Sequence, residues 1–162
     1  GLFEYNFLST LSWIIILIGR MNNDFLLFTM QEFRFMSLPE TMSTGSSIMP
    51  QKRNYDLFEL MRGNIPMYLW QSDQLRNIYI HLMSGYQRDL QLTKKIFIDA
   101  TDLAKNIIEI FSEIINNLQI HTEILDSAMT DELYATERVY ELVRWGMSFR
   151  DAYLEVKNTL FQ

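Results

Sequence analysis

Residues 7–28 read FLSTLSWIIILIGRMNNDFLLF, and the apolar spacing within them decides the fold. Phe7, Leu11, Ile14, Ile18, Met21, Phe25 and Phe28 recur at alternating steps of four and three, the seam of a long helix facing another helix. Leu8, Ile15, Ile16, Leu17, Leu26 and Leu27 cover other sides, so the helix is expected to be buried on several faces, in the centre of a bundle or an oligomer. The densest apolar run, 13–18, is far shorter than the roughly 20 residues of a membrane span. Arg20, Asn22, Asn23 and Asp24 follow it directly, and no basic segment precedes it, so neither a membrane segment nor a signal peptide is expected.

Beyond this helix the periodicity fails from Phe35 to Asn54, where Ser37, Pro39, Ser43, Thr44, Gly45, Ser46, Ser47 and Pro50 crowd together as turn formers. A second helix is expected from about 55 to 82 on Leu57, Met61, Asn64, Tyr68, Gln71, Leu75, Ile78 and Leu82, with a kink at Pro66. Asn64 and Gln71 in that seam read as register-setting polar groups or as groups facing a ligand cavity. Ser84-Gly85 breaks the pattern, and a third helix follows to about Leu118 on Ala104, Ile107, Phe111, Ile114 and Leu118. Shorter elements come next, with helix-start signatures at Thr122, Thr130 and Ser148. The fold class is therefore all-α, with residues 1–120 forming a long-helix bundle that carries a loop at 36–54, and residues 121–162 forming a small helical subdomain.

Composition agrees with one helix-rich body: 162 residues, 48% apolar, with 6 Gly and 3 Pro. There is no cysteine, so no disulfide framework or thiolate metal centre, and His81 and His121 alone do not make a zinc site. No metal is expected, and lack of cysteine agrees with a reducing cytoplasm. A net charge of −6 argues against a nucleic-acid partner. The charge is uneven, however: residues 45–95 hold seven Lys/Arg against four acids, a basic island suited to a small anionic ligand.

That island begins in the loop, where Gly45-Ser46-Ser47-Ile48-Met49-Pro50-Gln51-Lys52-Arg53-Asn54 puts two hydroxyls, cations and an amide between Gly and Pro hinges. Convergent cations, amides and backbone N–H groups are what stabilise an anion, including one that builds up during proton abstraction beside a carboxylate. Lys52 and Asn54 suit that task. The alternative is a loop in which the two serines cap the next helix and Lys52 is a surface charge.

The segment 44–54 resembles the sequence-motif loop of the fumarase/aspartase superfamily of lyases. The variant with Gln51 before Lys52, followed by Asp56, Glu59 and Arg62, is most similar to argininosuccinate lyases. Two more segments carry the same resemblance in the same order: Ser84-Gly85-Tyr86-Gln87-Arg88-Asp89-Leu90-Gln91 with Lys94, and Gly146-Met147-Ser148-Phe149-Arg150-Asp151-Ala152. The resemblance implies an anti β-elimination that splits argininosuccinate into fumarate and arginine, with no cofactor. It implies Ser46 as general base, Lys52 and Asn54 on the carboxylate that gains charge, and Glu59 as the carboxylate that orients a histidine of a neighbouring subunit. Ser47, Met49, Tyr86, Gln91 and Lys94 would bind substrate, Gln91 and Lys94 from one helix face. A serine hydroxyl is too weak an acid to ionise unaided at neutral pH, so the loop is expected to act only when closed over the ligand.

The resemblance further implies a homotetramer in the full-length protein and covers only the C-terminal portion of such a lyase, so the chain reads as a fragment. It departs from the family at Tyr55, where Pro is usual, and at Leu92 and Thr93, where acids are usual. Two other functions stay open: a non-catalytic, crystallin-like oligomerisation module or inactive fragment, and an adenylosuccinate lyase-like enzyme. The Gln51 loop and the Tyr86, Gln91, Lys94 set favour argininosuccinate.

Overall fold

In the computed structural model, which describes residues 2–45 and 53–160, the chain separates into two compact units, residues 1–120 and 121–162. The first is built on three long helices: α1 (Leu2–Phe28), α2 (Asp56–Ile80) and α3 (Thr93–Asn117). They run up, down and up. At one end Phe7 of α1 lies edge-on to Phe97 of α3, with ring centroids 5.7 Å apart. At the other, Phe25 of α1 meets both Phe58 at the start of α2 (6.5 Å) and Phe111 near the end of α3 (6.0 Å).

The core of this unit is a column of Leu8, Ile15, Ile18 and Phe25 from α1, Phe58, Met61, Ile65, Tyr68 and Leu75 from α2, and Ala100, Ala104, Ile107 and Ile114 from α3. The inward stripe of α1 is therefore the expected one only in part: Ile18 and Phe25 are buried, and Leu11 packs partly buried against the core. Phe7, Ile14 and Met21 are exposed, while Leu8, Ile15, Ile18, Asn22 and Phe25 are buried. The reason is local shape. Gly19 allows α2 to approach, and a Cβ there would stand 3.2 Å from Ile65 Cδ1. Asn22 crosses the same contact to reach the α2 backbone.

On α2 the buried positions are Phe58, Met61, Ile65, Tyr68, Ser72 and Leu75, so Asn64 and Gln71 sit beside the seam at intermediate burial. The helix continues through Pro66, which is exposed. The stripe on α3 agrees with the expected one at Ala104, Ile107 and Ile114, with Phe111 and Leu118 partly buried against it. Its first turn starts later than the Ser84-Gly85 break: Gly85 takes φ +96°, residues Arg88–Gln91 form a 3-10 turn, and Thr93 begins the α-helix proper.

At 27 residues, with a mean hydropathy of 1.5 over its most apolar 18-residue window and only 17% of that window buried, α1 is long and apolar enough to cross a membrane by length and composition. The run at 13–18 understated it, because the apolar character continues on both sides. Its observed partners are α2 and α3.

Two short antiparallel ladders, absent from the helical reading, tie down the connection between α1 and α2. Strand β1 (Met36–Ser37) pairs with β4 (Gln119–Ile120), after α3, and β2 (Thr44–Gly45) pairs with β3 (Arg53–Asn54). The second unit consists of α4 (Thr122–Ala128), a 3-10 turn at Asp131–Tyr134, α5 (Ala135–Arg144) and α6 (Phe149–Leu160), around Val139, Ala152 and Val156. Ser148 caps α6: its Oγ accepts from the Asp151 N–H at 3.2 Å and donates to Asp151 Oδ2 at 2.6 Å, a reciprocal cap.

Candidate active-site loop and its stem

The loop begins and ends on one ladder. Thr44 pairs with Asn54 and Gly45 with Arg53, so the backbone enters and leaves the segment 46–52 side by side. Thr44 Oγ1 also donates to Asp56 Oδ2 at 2.5 Å and stands 3.4 Å from the Asn54 carbonyl oxygen. A hydroxyl has one proton, and the shorter contact to a charged acceptor is where it goes. Asp56 is the first residue of α2, where a carboxylate is favoured by the partial positive charge of the helix N-terminus.

Behind the stem, the start of α2 is fastened to the bundle. Asn22 Nδ2 donates to the Phe58 carbonyl at 2.9 Å, fully buried. Tyr55 stands where the resembled lyases usually have proline. Its ring packs edge-on against Phe58 at 6.0 Å, and its hydroxyl accepts from the Leu38 N–H at 3.4 Å. Tyr55 thus ties the stem's exit to the residue that follows β1.

Of the expected site residues, Ser46, Ser47, Met49 and Lys52 lie outside the described residues. Asn54 is on β3 and partly buried, and Glu59 is exposed in the first turn of α2. Tyr86, Gln91 and Lys94 are all exposed in and after the connection between α2 and α3. Gln91 and Lys94 do not share one α-helix as expected: Gln91 closes the 3-10 turn and Lys94 lies in the first turn of α3.

The larger finding is separation. The 25 residues of α2 stand between Asn54 and this second group, and at 1.5 Å per residue they span roughly 37 Å. Within one chain the two groups lie at opposite ends of the bundle and cannot contact one ligand. His81, at the C-terminal end of α2, is exposed at the same far end as Tyr86.

Sequence reasoning missed Thr44, Asp56 and Asn22 as parts of this architecture. Thr44 was legible as a turn former and as the first residue of the motif segment, but not as the partner of an acid across the loop. Asn22 carried a weak signal as a polar residue flanked by the apolar seam of α1.

Comparison with known proteins places this architecture. A lyase family model matches residues 4–65. Argininosuccinate lyase of Thermotoga neapolitana is 40% identical over 94% of the chain and 38% of its own length. The enzymes of the same name from Bacteroides thetaiotaomicron and Sorangium cellulosum are 37% and 38% identical over 96% of the chain. The chain spans between 35% and 38% of the length of these relatives. Among solved structures, 3-carboxy-cis,cis-muconate lactonizing enzyme from Pseudomonas putida superposes with a TM-score of 0.73 at 16% identity, covering 96% of this chain and 35% of that one. Class II fumarase from Schistosoma mansoni gives 0.65 at 17%, covering 95% and 36%. At those identities the two structures speak for the fold alone.

The chain is thus similar to lyases, by the family model over residues 4–65 and by relatives 37–40% identical over nearly all of it. The relatives that it resembles over nearly its whole length are argininosuccinate lyases.

Proposed function

We propose that this chain supplies the proton-abstracting loop of an argininosuccinate lyase, which eliminates fumarate from argininosuccinate and leaves arginine. The observation that carries the reading is the 40% identity to such an enzyme across 94% of the chain. In this reading Ser46 removes the Cβ proton. Lys52 and Asn54 hold the carboxylate on which negative charge accumulates, and Ser47 and Met49 line the ligand side of the loop. Preorganised donors of this kind lower the barrier because charge develops where they already point. Glu59 orients a histidine of another subunit, and Tyr86, Gln91 and Lys94 grip the substrate's other groups.

The roughly 37 Å between the two ends of α2 supports a homo-oligomer, because a site with both groups takes them from different copies. A tetramer of the full-length protein, working in the cytoplasm, fits this scheme. The test is fumarate release from argininosuccinate by the chain alone and by the chain supplemented with the N-terminal segments of such a lyase. Release that disappears in Ser46→Ala supports the proposal; a supplemented tetramer without turnover sinks it, and turnover of adenylosuccinate instead reassigns the substrate.

A second reading, a non-catalytic oligomerisation module, is favoured by one observation. Trp13, Ile14, Leu17 and Met21 form an exposed apolar stripe on α1. Assembly without turnover is its expected result.

A further inference from the structure

We propose that Thr44 and Asp56 form a clasp that positions Asn54 for the reaction. Thr44 is the ladder partner of Asn54, and its hydroxyl reaches past Asn54, whose carbonyl lies 3.4 Å away, to close on Asp56 at 2.5 Å. The clasp therefore brackets Asn54 between a residue on the entering strand and one on the departing helix. Asp56 itself is fixed, since the turn of α2 that follows is held by Asn22 through the Phe58 carbonyl.

Among the described residues the ladder beneath Asn54 has two residues on each side, and a two-stranded ladder by itself is marginal in water. The hydroxyl-to-carboxylate bond is the additional constraint. It fixes the backbone of residues 54–56, and with it the direction from which the Asn54 carboxamide leaves the strand. Thr44 and Asp56 are positioning residues in this scheme, because they act through Asn54.

The proposal rests on the lyase reading for its kinetic consequence and on geometry alone for its structural one, so the test has two arms. In the first, the 162-residue chain is digested briefly with trypsin and cleavage after Arg53 is followed. Cleavage requires the β3 backbone to leave its ladder, so Thr44→Val is expected to raise the rate at Arg53 about fivefold and Thr44→Ser to leave it within twofold of the parent. In the second, the assembly that releases fumarate is assayed. Thr44→Val is expected to lower kcat about tenfold with KM within twofold, and Thr44→Ser to restore it. Asp56→Ala is expected to match Thr44→Val, with the double variant no worse than either alone, as for two halves of one interaction.

Unchanged cleavage at Arg53 in Thr44→Val overturns the clasp. So does a kcat loss in Thr44→Ser equal to that in Thr44→Val, or an additive double variant. Absence of fumarate release by the parent assembly defeats the lyase reading instead, and the digestion arm still decides the clasp.

Discussion

Asn22 of α1 donates its side-chain amide to the carbonyl of Phe58 on α2 at 2.9 Å, while its own Oδ1 is buried without a partner among the described residues. The amide thus contributes a cross-helix bond and bears an unsatisfied acceptor at once. Replacing both with a shape-matched apolar group removes the penalty along with the bond. Asn22→Leu is expected to change stability by less than about 1 kcal/mol, whereas Asn22→Ala, which also leaves a void, costs about 2 kcal/mol. Urea unfolding midpoints compare them, and equal losses in the two variants contradict this account.

Gly63 and Gly19 sit inside long helices with opposite surroundings. A Cβ at Gly63 meets nothing within 4 Å, so Gly63→Ala should stabilise α2 by about 0.5–1 kcal/mol through the unfolded chain's lost freedom. At Gly19 the same gain is set against contact with Ile65 Cδ1 at 3.2 Å, which a flexible side-chain end can relieve. Gly19→Ala should be near neutral and Gly19→Val clearly destabilising. Thermal midpoints measured side by side give the order Gly63→Ala, Gly19→Ala, Gly19→Val.

Tyr68 is fully buried, donates its hydroxyl to the Leu8 carbonyl at 2.7 Å, and has its pKa pushed up by burial. The folded state thus favours the neutral phenol. Stability from this group is intact below the unfolded pKa of about 10 and declines as pH rises from there toward the raised folded value. Tyr79 has its pKa raised as well, by burial and then by the charge of Glu4, so it titrates in the same direction. Tyr68→Phe is expected to cost about 1 kcal/mol at pH 7 and to flatten part of the alkaline decline, measured by denaturant unfolding at neutral pH and above pH 10. An undiminished decline in the variant speaks against Tyr68 as its source.

In the second unit, Ser148→Ala removes the cap of α6 and should lower that unit's stability by about 1 kcal/mol, with Ser148→Asp retaining most of it. Hydrogen exchange at α6 amides is the direct readout. Loss of protection confined to residues 121–162 is expected, since that unit has its own core.

The exposed stripe of α1 predicts where self-association occurs. Leu17→Lys should shift the sedimentation profile toward smaller species while leaving the helical signal intact, because Leu17 is 57% exposed and contributes little to the core. Leu8→Lys should instead unfold the bundle, since Leu8 has no exposed surface. Equal behaviour of the two variants contradicts the assignment of faces.

The amino-acid sequence by itself determined that the chain is helical, where its three long helices lie to within a few residues except at the start of α3, and that a non-helical connection separates the first two. Those features follow from local propensities: apolar periodicity, Gly and Pro breaks, and a hydroxyl three residues before an acid at the start of α6. It also carried the resemblance to lyases in residues 44–54, 84–94 and 146–152, and, independently of that resemblance, residue types in the loop that suit an anion. Which stripe of α1 faces inward was decided only by tertiary structure. A helix apolar on every side has no unique seam, and the choice falls to Gly19 and Asn22, where α2 can come close and bond. Tertiary structure alone also showed that Thr44, ten residues ahead of Asn54, is its neighbour, while Tyr86, Gln91 and Lys94 stand a helix length away. Spacing in sequence counts residues along the chain; distance is set by whether those residues fold back on a turn or extend along a helix.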